Sequence, residues 1–131
     1  MNRSTPVTSD AVAAARGYHR TAEGMRADRA ASLVFNVASV ALEHYLIAIC
    51  NSNGVEPVSH TFSDLMSDVE SLLDVEPDVS DAVRSLDEIF GICSVDDYHH
   101  TEPTGADAAK ALWACEQLAE LILPDPDGEA A

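Results

Sequence analysis

Apolar residues recur with helical periodicity along almost the whole chain. Five segments place them three or four positions apart: about 9–25, 29–51, 62–73, 77–93 and 106–123. This spacing puts the apolar side chains on one face of an α-helix. No stretch of four or more residues alternates convincingly enough to favour a strand. The pattern predicts an all-α fold, an antiparallel helical bundle of about five helices.

The residues that flank these segments are typical of helix ends. The predicted caps, first residues and stops are Ser9, Asp28, Asn53-Gly54, Thr61 and Pro77. After the fifth segment, residues 124–131 hold two prolines and a glycine and predict a flexible tail. We therefore expect residues 1–131 to form a single domain, with an ordered bundle over about 9–123.

The second segment is apolar on nearly every face, which is typical of a central helix that packs on several neighbours. The positions we expect to be mostly inaccessible are Leu33, Val37, Val40, Leu46 and Ile47. Polar residues interrupt this segment, and a charged residue in mid-membrane is costly, so no membrane span is predicted. The N-terminus also lacks the apolar run of a signal peptide. We expect a cytoplasmic protein.

Charge is distributed unevenly along the chain. The formal net charge is −16, yet five of the seven basic residues and only three of the 23 acidic residues lie in the first 30 positions. A strongly acidic surface repels phosphate backbones, which disfavours broad nucleic-acid binding. The first helix, which carries Arg16 and Arg20, is the only region that is expected to attract a phosphate. His19 lies between them and is expected on the surface. The three cysteines, Cys50, Cys93 and Cys115, fall at apolar helical positions and are expected to be buried thiols.

A polar line runs along the second helix. Ser32, Asn36, Ser39 and Glu43 are spaced 4, 3 and 4 residues apart, which places them on one side of that helix. The line either faces solvent or a neighbouring helix, or it walls a polar cleft in which Glu43 is the titratable group. Asn36 and Glu43 are the candidate binding residues on this helix.

The richest polar stretch is the connection between the fourth and fifth segments, 94–103. Its candidate catalytic residues are His99 and His100, and its candidate binding residues are Asp96, Asp97 and Tyr98. Imidazole is suited to proton transfer near neutral pH, an aspartate can orient the ring, and a tyrosine can hydrogen-bond a phosphate. An exposed loop without a catalytic task is the alternative. Adjacent residues rarely converge on one ion, so we predict no metal site and no cofactor.

Two stretches resemble the HEPN family of small prokaryotic helical domains. One is Asp28-Arg29-Ala30-Ala31 together with residues 38–48 (ASVALEHYLIA) and Gly54; the other is Leu86-Asp87-Glu88-Ile89-Phe90, a polar turn and residues 107–112 (DAAKAL). The resemblance covers most of residues 10–123. It implies a dimer, and in active members a ribonuclease with an arginine and a histidine that are separated by four to six intervening residues. His99 or His100 matches that histidine, whereas Cys93 and Ser94 stand where the arginine belongs.

The resemblance therefore implies a degenerate, non-catalytic module that acts by forming a homodimer and by binding a protein or nucleotide partner. The implied context is a toxin–antitoxin or defence system with a nucleotidyltransferase-like protein partner. The alternative is a weak or specialised metal-independent ribonuclease that uses His99 or His100, with Arg16 or Arg20 in place of the missing arginine. RNA is the only nucleic acid that is expected to bind under this alternative.

Overall fold

Five α-helices make up the described part of the domain. The computed structural model describes the backbone of residues 6–90 and 103–122 and the side chains of 10–89 and 103–122. The helices are α1 (Pro6–Met25), α2 (Ala31–Ser52), α3 (Phe62–Glu70), α4 (Pro77–Phe90) and α5 (Gly105–Leu121). No strand occurs in these described ranges. The predicted all-α helical bundle is confirmed.

Helix α2 lies at the centre of the bundle and contacts α1, α3 and α5, while α4 packs on α3 and α5. Its largest fully buried side chains are Phe35, Leu42, Tyr45 and Leu46. By length and mean hydropathy (1.7) α2 is long and apolar enough to cross a membrane, but 61% of that stretch is buried inside the domain. Its apolar surface is therefore largely used in packing against the other helices.

Of the five α2 residues expected to be mostly inaccessible, Leu46 is fully buried at 0% exposed, and Leu33 is the one that contradicts the expectation. Leu33 is 44% exposed, and Val37, Val40 and Ile47 are half-buried. These four residues follow a spacing of 4, 3 and 7, so they share one stripe of the helix. The apolar pattern runs all round α2, and only the packing of its neighbours determines which stripe stays partly open.

Two of the predicted helix caps are wrong. α1 begins at Pro6, so Ser9 lies inside the helix; proline suits a first-turn position because its missing N–H would have no intrahelical partner there. α2 begins at Ala31, and its N-cap Ala30 makes no side-chain capping bond. Asp28 instead belongs to the turn between the two helices, where its amide bonds the Met25 carbonyl at 3.3 Å.

Three other predicted helix ends are confirmed. The Thr61 hydroxyl accepts a hydrogen bond from the Asp64 amide (3.1 Å) at the start of α3. α2 ends at Ser52, followed by its C-cap Asn53 and by Gly54 with a φ of 78°, and α4 begins at Pro77. α3 ends at Glu70, three residues before its predicted end, and α5 opens with a capping box between Thr104 and Asp107. The predicted end of the fourth helix at Cys93 and the tail 124–131 lie outside the described residues.

Side chains of α4 hold the short helix α3 in place. The Asp87 carboxylate is 1% exposed and accepts hydrogen bonds from the backbone amides of Phe62 (2.9 Å) and Ser63 (2.8 Å). At the other end of α3, Arg84 forms a two-pronged ion pair with Glu70 (2.8 and 2.9 Å). Hydrogen bonding to Arg84 lowers the pKa of Glu70 to about 2. A nine-residue helix is thus fixed at both ends by its neighbour.

The described cysteines are buried free thiols, as predicted. Cys50 and Cys115 are both 0% exposed. Burial raises the pKa of Cys50 to about 11 and that of Cys115 still further. The Cys115 thiol donates to the Ala38 carbonyl at 3.4 Å, which ties α5 to α2. Cys93 lies outside the described residues.

Candidate functional site

Most of the site residues predicted from the sequence lie in the connection between α4 and α5. His99, His100, Asp96, Asp97 and Tyr98 all lie outside the described residues. Their proposed roles in proton transfer and ligand binding stay predictions.

The polar line on α2 is part solvent-facing and part structural. Asn36 is exposed, and Glu43 keeps 35% of its side chain accessible, with Oε2 at 3.2 Å from His60 Nδ1. Ser39 is 3% exposed and donates to the Phe35 carbonyl at 2.8 Å. Asn36 and Glu43 lie about 180° and 200° around the helix from Tyr45. The structure therefore separates these two predicted binding residues from the cavity that Tyr45 lines.

That cavity, about 310 Å³ in volume, opens beside α1 and is lined by Arg16, His19, Arg20, Glu23 and Tyr45. Four of the five residues come from α1 at positions i, i+3, i+4 and i+7. This spacing places them on one face of the helix. Tyr45 comes from α2, so the cavity lies where the polar stripe of α1 meets the central helix.

His19 and Tyr45 form the inner wall of the cavity. Their Nδ1 and hydroxyl oxygen are 2.9 Å apart, and the two rings meet edge to face with centroids 5.8 Å apart. Burial raises the pKa of Tyr45 above its ordinary value of 10, so the hydroxyl keeps its proton near neutral pH. His19 is half-buried, which corrects the expectation of a surface residue. Its ring is held inward because the buried tyrosine hydroxyl needs a polar partner.

Glu116 of α5 lies beside two of the residues that line the cavity, His19 and Glu23. His19, Glu23 and Glu116 each bring one potential ligand atom to within 4.8 Å of the other two. His19 and Glu23 are half-buried, and Glu116 is exposed. The carboxylates of Glu23 and the neighbouring Glu116 together carry a formal charge equal and opposite to that of the two arginines that line the cavity. Positive and negative groups thus meet at one place on a protein that is otherwise strongly acidic.

The other described histidines have structural partners. His44 donates from Nδ1 to the Val40 carbonyl (2.8 Å) and stacks at a tilt against Tyr18, with ring centroids 5.4 Å apart. His60 precedes α3 and pairs with Glu43. His19 differs from both in that it lines the cavity between α1 and α2.

Sequence reasoning noted the arginines of α1 but missed the site they help to form. The i, i+3, i+4, i+7 spacing of Arg16, His19, Arg20 and Glu23 was a readable signal that these residues share a face. Tyr45 is a residue of the most apolar helix, and Glu116 is distant in sequence. Only the packing of α1 against α2 and α5 brings these two residues to that face.

No protein-family model and no curated protein matches this chain. Among solved structures, the chain is similar to the crystal structure of TT1696 from Thermus thermophilus, with a TM-score of 0.71 and 20% sequence identity. The match covers 90% of this chain and 97% of that chain. At this identity the likeness shows a shared fold over nearly the full length of both proteins.

Proposed function

We propose that this protein is a non-catalytic, HEPN-like helical module that binds a small phosphate-bearing ligand, a nucleotide, in the cavity between α1 and α2. The observation that carries the proposal is that Arg16 and Arg20 line one cavity together with His19 and Tyr45, whose Nδ1 and hydroxyl oxygen are 2.9 Å apart. Guanidinium groups pair with phosphate oxygens through two parallel hydrogen bonds, and a neutral tyrosine hydroxyl adds a donor. The same residues therefore provide both the positive charge and the hydrogen-bond donors that bind a phosphate group.

Size and charge both favour a small ligand over a polymer. A volume of about 310 Å³ lies at the lower end of the roughly 300–1,000 Å³ range of small-molecule sites. A net charge of −16 opposes a long polyanion, whose many phosphates would each meet that field. A nucleotide has few charges, and those can be met locally by the two arginines.

A direct test is equilibrium titration with AMP and ADP, followed calorimetrically, of the wild type and single variants. We expect Arg16→Gln and Arg20→Gln to weaken binding by roughly 10- to 100-fold, because each removes a charge-assisted hydrogen bond of about 1.5–3 kcal/mol. Arg29→Gln is the matched control, since Arg29 is an exposed arginine in the turn after α1 and should leave binding unchanged. Absence of saturable binding by the wild type, or equal loss in all three variants, would refute the proposal.

The module is also proposed to act as a homodimer. The partly open apolar stripe of α2 supports this, because Leu33, Val37, Val40 and Ile47 offer apolar surface that a second copy could cover. A twofold pair would use one such patch twice. Sedimentation at micromolar concentration should give about twice 14.0 kDa, and Leu33→Glu should shift it toward the monomer. A single 14.0 kDa wild-type species would count against the dimer.

The ribonuclease alternative has one supporting observation of its own, which is that Arg16 and Arg20 lie beside an imidazole, that of His19. Incubation of labelled RNA with purified protein distinguishes the two functions. The binding module should cut no RNA above a mock preparation. Cleavage by the wild type that is lost in His99→Ala, His100→Ala or His19→Ala would replace the proposed function with the enzymatic one and identify its histidine.

A further inference from the structure

The cavity also brings together three side chains that suit a metal ion. We infer that His19, Glu23 and Glu116 bind a divalent transition-metal ion of the zinc class, and that this ion provides the positive charge that attracts the phosphate ligand. The second half of this inference rests on the proposed function, whereas the ion site itself stands on the three residues alone.

The geometry of the three groups is close to that of a coordination sphere. Their potential ligand atoms lie within 4.8 Å of one another, and ligands about 2.0–2.1 Å from a tetrahedral zinc are about 3.4 Å apart. Rotations about side-chain bonds can close this difference, since Glu116 is exposed and Glu23 is only half-buried. His19 and Glu23 are four residues apart on α1, so both lie on one face of that helix, and the neighbouring helix α5 adds the third ligand, Glu116.

Tyr45 prepares the imidazole for a metal. The tyrosine hydroxyl engages Nδ1 of His19 at 2.9 Å, which leaves Nε2 as the nitrogen for an ion. A metal-bound imidazole almost always donates its other N–H to an oxygen, which fixes the tautomer and the ring orientation. Tyr45 is 1% exposed in the hydrophobic core of the domain, so it holds the imidazole ring of His19 rigidly.

The charges in the cavity explain why an ion matters for the proposed ligand. The lining residues Arg16, Arg20 and Glu23 sum to one positive charge. Glu116 lies beside Glu23 and cancels it, so without an ion the site has no net formal charge to attract a phosphate. A divalent ion would make it doubly positive. Three protein ligands on a tetrahedral ion leave a fourth position open, which a phosphate oxygen can fill beside the arginines.

The chemistry of the donor set selects the class of ion. One imidazole nitrogen and two carboxylate oxygens suit zinc and its neighbours, whereas magnesium and calcium prefer oxygen ligands throughout. Glu23 also lies 3.6 Å from Arg26, but that pair is half-exposed and long. Surface pairs of this kind contribute about 0–1 kcal/mol, too little to compete with coordination.

Calorimetric titration of the full chain with Zn²⁺ alone tests the ion site, and the visible absorption of added Co²⁺ reports the coordination geometry. We expect one ion per chain in a tetrahedral site. His19→Ala and Glu116→Gln should weaken it by more than tenfold, and Tyr45→Phe by roughly 10-fold through loss of the bond to Nδ1. Glu120→Gln is the matched control, one turn further along α5 and exposed, and should bind as the wild type does.

Circular dichroism melting of each variant establishes that binding losses do not come from unfolding. Absence of Zn²⁺ binding by the wild type, or octahedral Co²⁺ that is insensitive to His19→Ala, would overturn the inference. So would binding that survives in His19→Ala and is lost in His99→Ala, because the ion would then lie in the other histidine cluster.

A second titration, with AMP, separates the ion from the nucleotide. Zinc-loaded protein should bind AMP at least tenfold more tightly than protein kept in EDTA. Equal affinity in both conditions would leave the proposed function standing and overturn the role of the ion. Zinc binding with no AMP binding in either condition would support the ion site and refute the proposed function.

Discussion

Among the polar side chains in the described part of the domain, we expect substitution of the buried Asp87 to lower the free energy of unfolding most. The Asp87 carboxylate accepts two backbone N–H groups at the start of α3, at 2.9 and 2.8 Å, while 1% exposed. Hydrogen bonds to a charged group contribute about 1.5–3 kcal/mol each, and part of this is offset by the cost of burying the charge. We therefore expect Asp87→Ala to lower the free energy of unfolding by about 3 kcal/mol.

Two further variants isolate the reason for that loss. Asp87→Asn keeps one acceptor oxygen and the side-chain shape but loses the charge. It should therefore lower the free energy of unfolding by about half as much as Asp87→Ala does. Glu88→Ala removes the neighbouring carboxylate, which is exposed, and should change stability by no more than about 0.5 kcal/mol. The comparison separates the capping of α3 from a general effect of charge on this acidic protein.

Urea unfolding followed by circular dichroism at 222 nm gives the free energies. For a domain whose total stability is about 5–15 kcal/mol, a loss of 3 kcal/mol shifts the midpoint clearly. If the free energy of unfolding of Asp87→Ala is within about 0.5 kcal/mol of that of the wild type, the two hydrogen bonds do not hold α3 in place. A loss equal to that of Glu88→Ala would lead to the same conclusion.

Leu42→Ala should lower the free energy of unfolding by about 2–5 kcal/mol because Leu42 is 0% exposed at the centre of α2. Leu33→Ala on the same helix should lower it by less than 1 kcal/mol because Leu33 is 44% exposed. Equal losses in urea unfolding would contradict the assigned faces. The Glu70 carboxyl has a pKa lowered to about 2, so its pair with Arg84 stabilises the fold above about pH 4.5 and loses that effect as the pH falls toward 2. Arg84→Ala should therefore be less stable than the wild type at pH 7, by under about 1 kcal/mol because the pair is largely exposed. The difference should shrink as the pH falls to 2, where only the bond from Arg84 to the Ser67 hydroxyl (2.8 Å) is left to lose. A constant difference across that range would exclude the pair as its cause. The Cys115 thiol, whose pKa burial raises, should resist iodoacetamide at pH 8 in the native protein and react in urea, as mapped by mass spectrometry.

How far each helix could be placed from the sequence depended on the kind of signal at its ends. Thr61, Pro77 and Asn53-Gly54 act through their own side chains or backbone freedom, so those helix ends were predicted correctly. Ser9 and Asp28 have the same chemistry as good caps, but the preceding Pro6 and the turn after α1 determine where those helices begin. Local capping signals compete with one another, and the sequence does not rank them.

The predictions for individual buried positions were less reliable for a different reason. An all-round apolar helix such as α2 predicts that it is central, and that was correct. It does not predict which stripe lacks a neighbour, and Leu33 fell on that stripe. Asp87 shows the converse case, in which a charged residue on an amphipathic helix is buried because it caps another helix 24 and 25 residues away in sequence.

The sequence by itself determined the class of fold, the number of helices in the described ranges and the concentration of positive charge on α1, because hydrophobic periodicity and composition are local properties of the chain. The tertiary structure decided the cavity. His19 and Arg20 share a face of α1 whatever the fold, but Tyr45 and Glu116 reach that face only because α2 and α5 pack against α1. Packing between distant segments depends on the fit of whole helix surfaces, and no spacing of residues along the chain records it.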